Sequence, residues 1–234
     1  MYKITLFIIL LFLPILIIAQ RGDNQQYQAL VEELYVGEAI NTFDLREQKK
    51  YDHVFLNENW QESKLIFSDG EVSLRTYWLK YDILNQELNI RIGEETIYIV
   101  PKDRIRGFVF LSNIEKKILK ETRFLISQKG KTKGNIYEVI IDGNYALAAF
   151  HKADKLKPNY IPALDTGNLS EKIVTKKTYF LVTNKKKIVE IPKKKRSAEK
   201  LFKKYAPARK YLDKNKVNFK KQKDLENLIL FMNN

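Results

Sequence analysis

One triplet and two single histidines contain the side chains that could do chemistry. Asp165-Thr166-Gly167 is the triplet with which aspartic proteases present a catalytic carboxylate, and His53 and His151 are the two histidines of the chain. A protease of this type needs a second carboxylate to share one proton, and the remaining candidate, Asp142-Gly143, has the pattern of a hairpin turn. Neither histidine lies in a metal-binding or triad-like spacing. The sequence therefore predicts a non-enzymatic protein that needs no metal or cofactor.

Aromatic residues are the second group of candidates, since the chain has 13 Tyr and 2 Trp. Four of them lie in or next to a predicted strand and could form a stacking surface for a glycan or a peptide: Trp60, Tyr77, Trp78 and Tyr81. Strands favour aromatic residues in any case. Packing in the core or across strands is therefore the alternative interpretation of these four residues.

Basic residues are concentrated at the C-terminal end. Residues 171–234 contain 20 Lys/Arg against 6 Asp/Glu, which accounts for the whole net charge of +14. The six candidates for anion binding are Lys193, Lys194, Lys195, Arg196, Lys203 and Lys204. Nucleic acid is not the expected partner, because no helix-turn-helix, RRM or zinc pattern accompanies the charge. The possible partners are anionic lipid head groups, lipopolysaccharide or acidic proteins. The alternative is that these residues form a solvated helix face that binds nothing.

The first residues predict the compartment. Lys3 is followed by an apolar run from Ile4 to Ile18 and then by Ala19, the pattern of a secretory signal peptide over residues 1–19. A retained membrane anchor is the alternative, although this run is shorter than a spanning helix requires. The chain has no cysteine, which excludes disulfides, thiolate metal sites and lipidation of a cysteine. We expect an exported protein of the periplasm, the outer envelope or the extracellular space.

Residues 20–191 are predicted to form an antiparallel β domain. Alternating apolar residues and tight turns recur, with hairpins expected at Gly93-Glu94-Glu95, at Asp142-Gly143-Asn144 and about Asn184. In the strand that contains Trp78, both faces are partly apolar, so we expect both to be covered. Another strand should bury Leu88, Ile90 and Ile92 and expose Asn89 and Arg91. The predicted fold class is mainly β, an antiparallel meander forming a sandwich or an open barrel.

Three further segments complete the predicted domain organisation. Residues 25–36 could be a short helix or an edge strand, and residues 152–171 have the composition of a surface loop. From residue 192 to residue 234 the apolar period becomes helical, which predicts a basic amphipathic helical segment. Ser197 is expected to cap its first helix, and Pro207 to end that helix or begin the next. The last helix should bury Leu225, Leu228, Ile229 and Met232.

Five stretches from about His53 to the C-terminus follow one another as FLNENWQESKLIFSDGEVSLRTYWLKYDILNQELNIRIG, RIRGFVF, NIYEVIIDGNYALAAF, TYFLVTNKKKIVEIPKKKRSAEKLF and ARKYLDKNKVNFKKQKDLENLILFMNN. In this combination they resemble a family of uncharacterised exported proteins from flavobacteria and their relatives in the Bacteroidota. The resemblance implies an exported, β-rich protein and assigns no role to any residue.

The predicted function is that of an exported envelope or surface-associated protein, acting as a non-enzymatic structural or interaction module. Two alternatives follow from the candidate residues. One is a β-sandwich that binds a glycan or a peptide through the aromatic residues, and the other is a protein that binds anions or lipid surfaces through the basic segment.

Overall fold

The computed structural model describes residues 25, 27–34, 53–93, 96–114, 117–157, 171–183 and 187–234. These residues contain ten strands: β1 (Gln61–Phe67), β2 (Tyr77–Asp82), β3 (Glu87–Ile92), β4 (Thr96–Ile99), β5 (Ile105–Ile114), β6 (Lys117–Ile126), β7 (Ile136–Ile141), β8 (Tyr145–Leu156), β9 (Lys172–Thr183) and β10 (Ile188–Glu190). They form one sheet in the order β10-β9-β8-β7-β6-β5-β1-β2-β3-β4. Every strand pair is antiparallel.

The sheet consists of two meanders joined side by side. Strands β1 to β4 and strands β5 to β10 each follow chain order, and the two runs meet where β1 pairs with β5. The predicted hairpins β3–β4, β7–β8 and β9–β10 are all present, although Glu94, Glu95 and Asn184 lie outside the described residues. The prediction of a mainly β, antiparallel fold with a helical C-terminal segment is confirmed, and the sheet is open because β4 and β10 do not pair.

A short helix, α1, covers one half of the sheet. Residues 27–34 are helical, which resolves the choice between helix and strand for this segment. Leu30, Val31 and Leu34 are buried in a hydrophobic cluster whose other members come chiefly from β1, β2, β3, β5 and β6. The clustered side chains include stacked rings of Phe108 and Phe124, whose centroids are 4.6 Å apart.

Three helices cover the other half. They are α2 (Lys195–Phe202), α3 (Ala206–Lys214) and α4 (Gln222–Asn233). Their apolar sides form a second hydrophobic cluster with strand residues Leu147 and Leu181. The predicted stripe of α4 is confirmed, since Leu225, Leu228, Ile229 and Met232 are all buried, and Pro207 begins α3 rather than ending α2. Within the described parts of the chain, no helix has the length and apolar character needed to cross a membrane.

Both clusters lie on the same face of the sheet. Phe124, Glu138, Ala149 and Tyr179 stand directly opposite one another on β6, β7, β8 and β9, and cross-strand neighbours of this kind share a face. Phe124 belongs to the first cluster, whereas Tyr179 packs against the second. The charged Glu138 therefore marks the boundary between two apolar regions.

Two predictions about single elements are wrong. Ser197 does not cap α2, because the helix already begins at Lys195 and the Ala198 amide donates to the Lys194 carbonyl at 3.0 Å. The predicted loop begins too early, because β8 continues to Leu156 and residues 152–156 pair with residues 172–176 of β9. Pairing with β9 therefore makes residues 152–156 a strand, although their own sequence has little strand propensity.

Two predictions about exposure are also wrong. Asn89 was expected in solvent but is completely buried, and its side-chain amide has no hydrogen-bond partner among the described residues. The rings of Phe55 and Trp60 lie over Lys80, the cross-strand neighbour of Asn89, so this part of the outer face is covered. Conversely, the side chains of Leu74 and Trp78 are 90% and 46% exposed. The outer face next to β2 is therefore open at one end and covered at the other.

Candidate functional site

The outer sides of the C-terminal helices form a cationic surface. Residues 192–234 contain 14 Lys/Arg and 4 Asp/Glu. Lys195 and Lys223 pair with Glu199 and Glu226 on their own helices at 3.7 and 3.6 Å. The other twelve cations are exposed and form no ion pair within the described structure: Lys193, Lys194, Arg196, Lys200, Lys203, Lys204, Arg209, Lys210, Lys214, Lys216, Lys220 and Lys221.

Four lysines of this surface converge on a cleft of about 700 Å³. Lys193, Lys194 and Lys195 precede or begin α2, and Lys220 approaches from the segment between α3 and α4. The apolar floor of the cleft is formed by Val217 and Phe219, which are 7% and 4% exposed. The first three lysines were predicted, whereas Lys220 was missed because only the tertiary fold brings it next to them.

The remaining predicted cations lie along α2. Arg196, Lys203 and Lys204 line a second, shallower groove together with Lys200 and Glu199. All six predicted anion-binding residues are therefore exposed, and the structure places them in two neighbouring parts of one surface.

Buried aromatic residues hold this surface in place. The inner side of α2 contributes Ala198 and Phe202, both fully buried, and the Phe202 ring stacks on Phe219 at 5.7 Å. Because the apolar side of the helix is fixed against the second cluster, its lysines and arginine have to point to solvent. The cations are thus presented by packed elements rather than by a free tail.

The four predicted aromatic residues do not form one surface. Tyr77 and Tyr81 are buried in the first cluster, where Tyr77 donates a hydrogen bond to Glu33 of α1 and Tyr81 donates one to Gln86. Burial raises the pKa of both phenols, and for Tyr77 the Glu33 carboxylate raises it further. Both residues therefore belong to the core rather than to a ligand surface.

Trp60 and Trp78 lie on the opposite face, where cationic side chains cover their rings. The Arg91 guanidinium lies 5.3 Å from the Trp60 ring and 5.7 Å from the Trp78 ring. The Lys80 ammonium lies 5.4 Å from Trp60. These cation–π contacts make both tryptophans packing partners of Arg91, and Trp60 also of Lys80, while Trp78 stays 46% exposed.

Each histidine has a carboxylate partner that sequence reasoning missed. His53 Nδ1 lies 2.5 Å from Asp82 Oδ2, and the fully buried Asp82 carboxylate also accepts hydrogen bonds from the backbone amides of Leu84 and Asn85. This pair fixes the turn between β2 and β3. His53 and Asp82 are 29 residues apart in the sequence, so no local sequence pattern indicates their contact.

The second pair lies in a groove between the two clusters. His151 Nε2 is 2.6 Å from Glu138 Oε2, and Lys177 Nζ is 3.2 Å from the same oxygen. The hydrogen bond with His151 and the charge of Lys177 lower the pKa of Glu138 to about 2, although its burial acts in the opposite direction. Glu138 is therefore a carboxylate that stays ionised at neutral and mildly acidic pH, held between two basic side chains.

No constellation for metal binding occurs in the described ranges, where no three His, Asp or Glu side chains come together as ligands. The Asp165-Thr166-Gly167 triplet and residues 1–19 lie outside the described residues. Comparisons with protein-family models, with curated proteins and with solved structures found nothing that matches the chain. The candidate sites therefore rest on the geometry of the chain itself.

Proposed function

We propose that the protein is an exported, non-enzymatic interaction module that attaches to an anionic lipid surface of the cell envelope through the cationic surface of α2 to α4. The observation that carries this proposal is the set of twelve exposed cations of residues 192–234 that have no acidic partner among the described residues. The signal-peptide pattern of residues 1–19 supports the compartment, because an exported chain meets the lipid head groups of the envelope.

The magnitude of the attraction is sufficient for attachment. Each Lys or Arg near an anionic membrane contributes about 1 kcal/mol, and the effect decays over a Debye length of about 10 Å at 0.1 M salt. Only cations on the side that faces the membrane contribute, so the lysines of the cleft and the cations along α2 matter most. Six such residues together contribute about 6 kcal/mol, equivalent to a dissociation constant of tens of micromolar, and the association is salt-sensitive.

Vesicle co-sedimentation tests the proposal. The protein should bind phosphatidylcholine vesicles that contain phosphatidylglycerol and should not bind pure phosphatidylcholine vesicles. The triple variant Lys193→Gln, Lys194→Gln, Lys195→Gln removes about 2–3 kcal/mol of attraction, because Lys195 is partly neutralised by Glu199, so its affinity should fall by roughly 30- to 100-fold at low salt.

A matched control removes the same charge elsewhere. Lys129, Lys131 and Lys133 are exposed in the connection between β6 and β7, and their triple replacement by Gln should leave binding nearly unchanged. Equal losses in both triple variants would show that net charge rather than this surface matters, and would contradict the proposal. Equal binding to vesicles with and without phosphatidylglycerol would also contradict the proposal.

A further inference from the structure

A groove of about 640 Å³ lies on the inner face of the sheet where the two hydrophobic clusters meet. One wall is formed by residues 56–59 and by Gln61 at the start of β1, and the other by Glu138, His151 and Lys177 of β7, β8 and β9. Phe110 and Phe124 form its floor, with ring centroids 5.0 Å apart. Its volume is in the range of sites for small ligands, about 300–1,000 Å³.

The groove contains polar groups that the protein itself leaves unused. The side chains of Asn57, Glu58, Asn59 and Thr122 line it and have no hydrogen-bond partner among the described residues. On the opposite wall, both contacts of Glu138 use Oε2, so its Oε1 remains available as an acceptor. Lys177 keeps further N–H donors, since an ammonium group has three.

The charges of the groove exclude a strongly anionic ligand. Two carboxylates, Glu58 and Glu138, face Lys177 and His151, so the lining has no excess of positive charge. The ammonium of Lys177 is already neutralised by Glu138 at 3.2 Å. In this respect the groove differs from the cationic surface of α2 to α4, and its ligand must be of another kind.

The floor of the groove excludes a strongly apolar ligand. Phe110 and Phe124 are only 3% and 1% exposed, so they offer little surface on which an apolar side chain could be buried. What remains accessible is a set of carboxylate, amide, hydroxyl and ammonium groups on two facing walls. A hydroxyl group both donates and accepts hydrogen bonds, and it can therefore pair with every member of such a set.

We propose that this groove binds a short neutral oligosaccharide. One hydroxyl donates to Glu138 Oε1 while its neighbour accepts from Lys177, and the amides of Asn57 and Asn59 bind the sugar from the opposite wall. His151 positions Glu138 through the contact at 2.6 Å. The site is separate from the cationic surface and does not depend on attachment to lipid.

A glycan array that carries both neutral and charged oligosaccharides tests this proposal, followed by titration calorimetry with the neutral glycan that binds best. Glu138→Gln should weaken binding at least tenfold, because the amide that replaces the carboxylate is a weaker acceptor. Thr122→Val is a second variant that removes a lining hydroxyl without breaking any hydrogen bond of the fold, and it should weaken binding by a smaller factor.

The neighbouring Glu121 provides the matched control. It is exposed on the opposite face of β6, so Glu121→Gln should bind the glycan like the unmodified protein. The triple replacement of Lys193, Lys194 and Lys195 should also leave glycan binding intact, which separates this site from lipid attachment. The proposal is overturned if no neutral glycan binds, if only charged glycans bind, or if the Glu138 and Thr122 variants behave like the Glu121 control.

Discussion

At the scale of single residues, Glu138 has the most strongly perturbed carboxyl group among the described residues. Its folded pKa of about 2 lies below the ordinary value of 4.5. A carboxylate with a lowered folded pKa stabilises the protein above its unfolded pKa, and this contribution disappears as the pH falls from about 4.5 towards 2. The sheet should therefore lose stability in acid partly through this one side chain.

The variant Glu138→Gln tests this coupling. Near neutral pH it should be less stable than the unmodified protein by up to about 3 kcal/mol, the equivalent of the pKa difference. As the pH approaches 2, the difference in free energy of unfolding between the two proteins should approach zero. Urea denaturation at a series of pH values measures this difference. A difference that stays constant from neutral to acid pH would mean that the ionisation of Glu138 does not stabilise the fold.

At the scale of elements, one side chain ties the last helix to the sheet. Asn233 of α4 accepts a hydrogen bond from the Tyr145 amide at 2.9 Å and donates one to the Tyr145 carbonyl at 2.8 Å. Gly143, in the preceding turn, has φ +146°, and a Cβ atom placed there would lie 2.7 Å from Asn233 Nδ2. The hairpin and the helix thus leave no room for a side chain at Gly143.

Gly143→Ala should destabilise the protein by about 1–3 kcal/mol, since it combines an unfavourable φ with a clash. Asn233→Ala should cost about 1–3 kcal/mol through two lost hydrogen bonds. The double variant should be less destabilised than the sum, because removing the Asn233 amide also removes the clash. Chemical denaturation of the three variants measures the coupling, and strict additivity would contradict the contact.

The elements also show which features could be predicted from the sequence. Hairpins at Gly93 and Asp142-Gly143-Asn144 were predicted correctly because a turn depends on a few adjacent residues. Contacts between residues that are far apart in the sequence were not predicted. His151 and Glu138 meet because Glu138 stands opposite Ala149, two residues from His151, and the register of two strands cannot be deduced from either strand alone. The groove depends on five such registers, between neighbouring strands from β1 and β5 to β8 and β9, so it could not be found in the sequence.

The cationic surface was predicted in part for the same reason. Lys193 to Arg196 form a continuous run, whose charge is evident from the sequence. The contribution of Lys220 requires the packing of Phe219 against Phe202. The amino-acid composition therefore indicated the charge of the surface. The shape of the cleft depends on the packing of the second hydrophobic cluster, which the composition does not reveal.

At the scale of the whole molecule, the C-terminal helices are part of the core. Leu147 and Leu181 of the sheet are completely buried in the second cluster, and Ile191 is 3% exposed there. Deleting residues 192–234 would expose these side chains, each of which contributes roughly 1.5–3 kcal/mol when buried. The total is comparable with the whole stability of an ordinary domain, about 5–15 kcal/mol.

The truncated chain is therefore expected to lose most of its stability and to bind hydrophobic dyes such as ANS, as measured by urea denaturation and by dye fluorescence. The triple Gln variant of Lys193, Lys194 and Lys195 is the control, because it changes charge without exposing apolar surface and should denature like the unmodified protein. A truncated chain of full stability would show that the helices are a dispensable appendage.

The open edge beside β9 has a consequence for the behaviour of the protein at high concentration. The short strand β10 covers only Phe180 to Val182 of β9, and no described strand pairs with residues 172–178 on that side. Such an edge could recruit the same edge of a second molecule and start aggregation. Lys172 and Lys176 are exposed along it; Lys176 pairs with Asp154 at 3.0 Å, whereas Lys172 forms no ion pair among the described residues, and charged side chains on an edge strand disfavour pairing with a second molecule. We therefore expect the exposed lysines of β9 to limit self-association at high protein concentration.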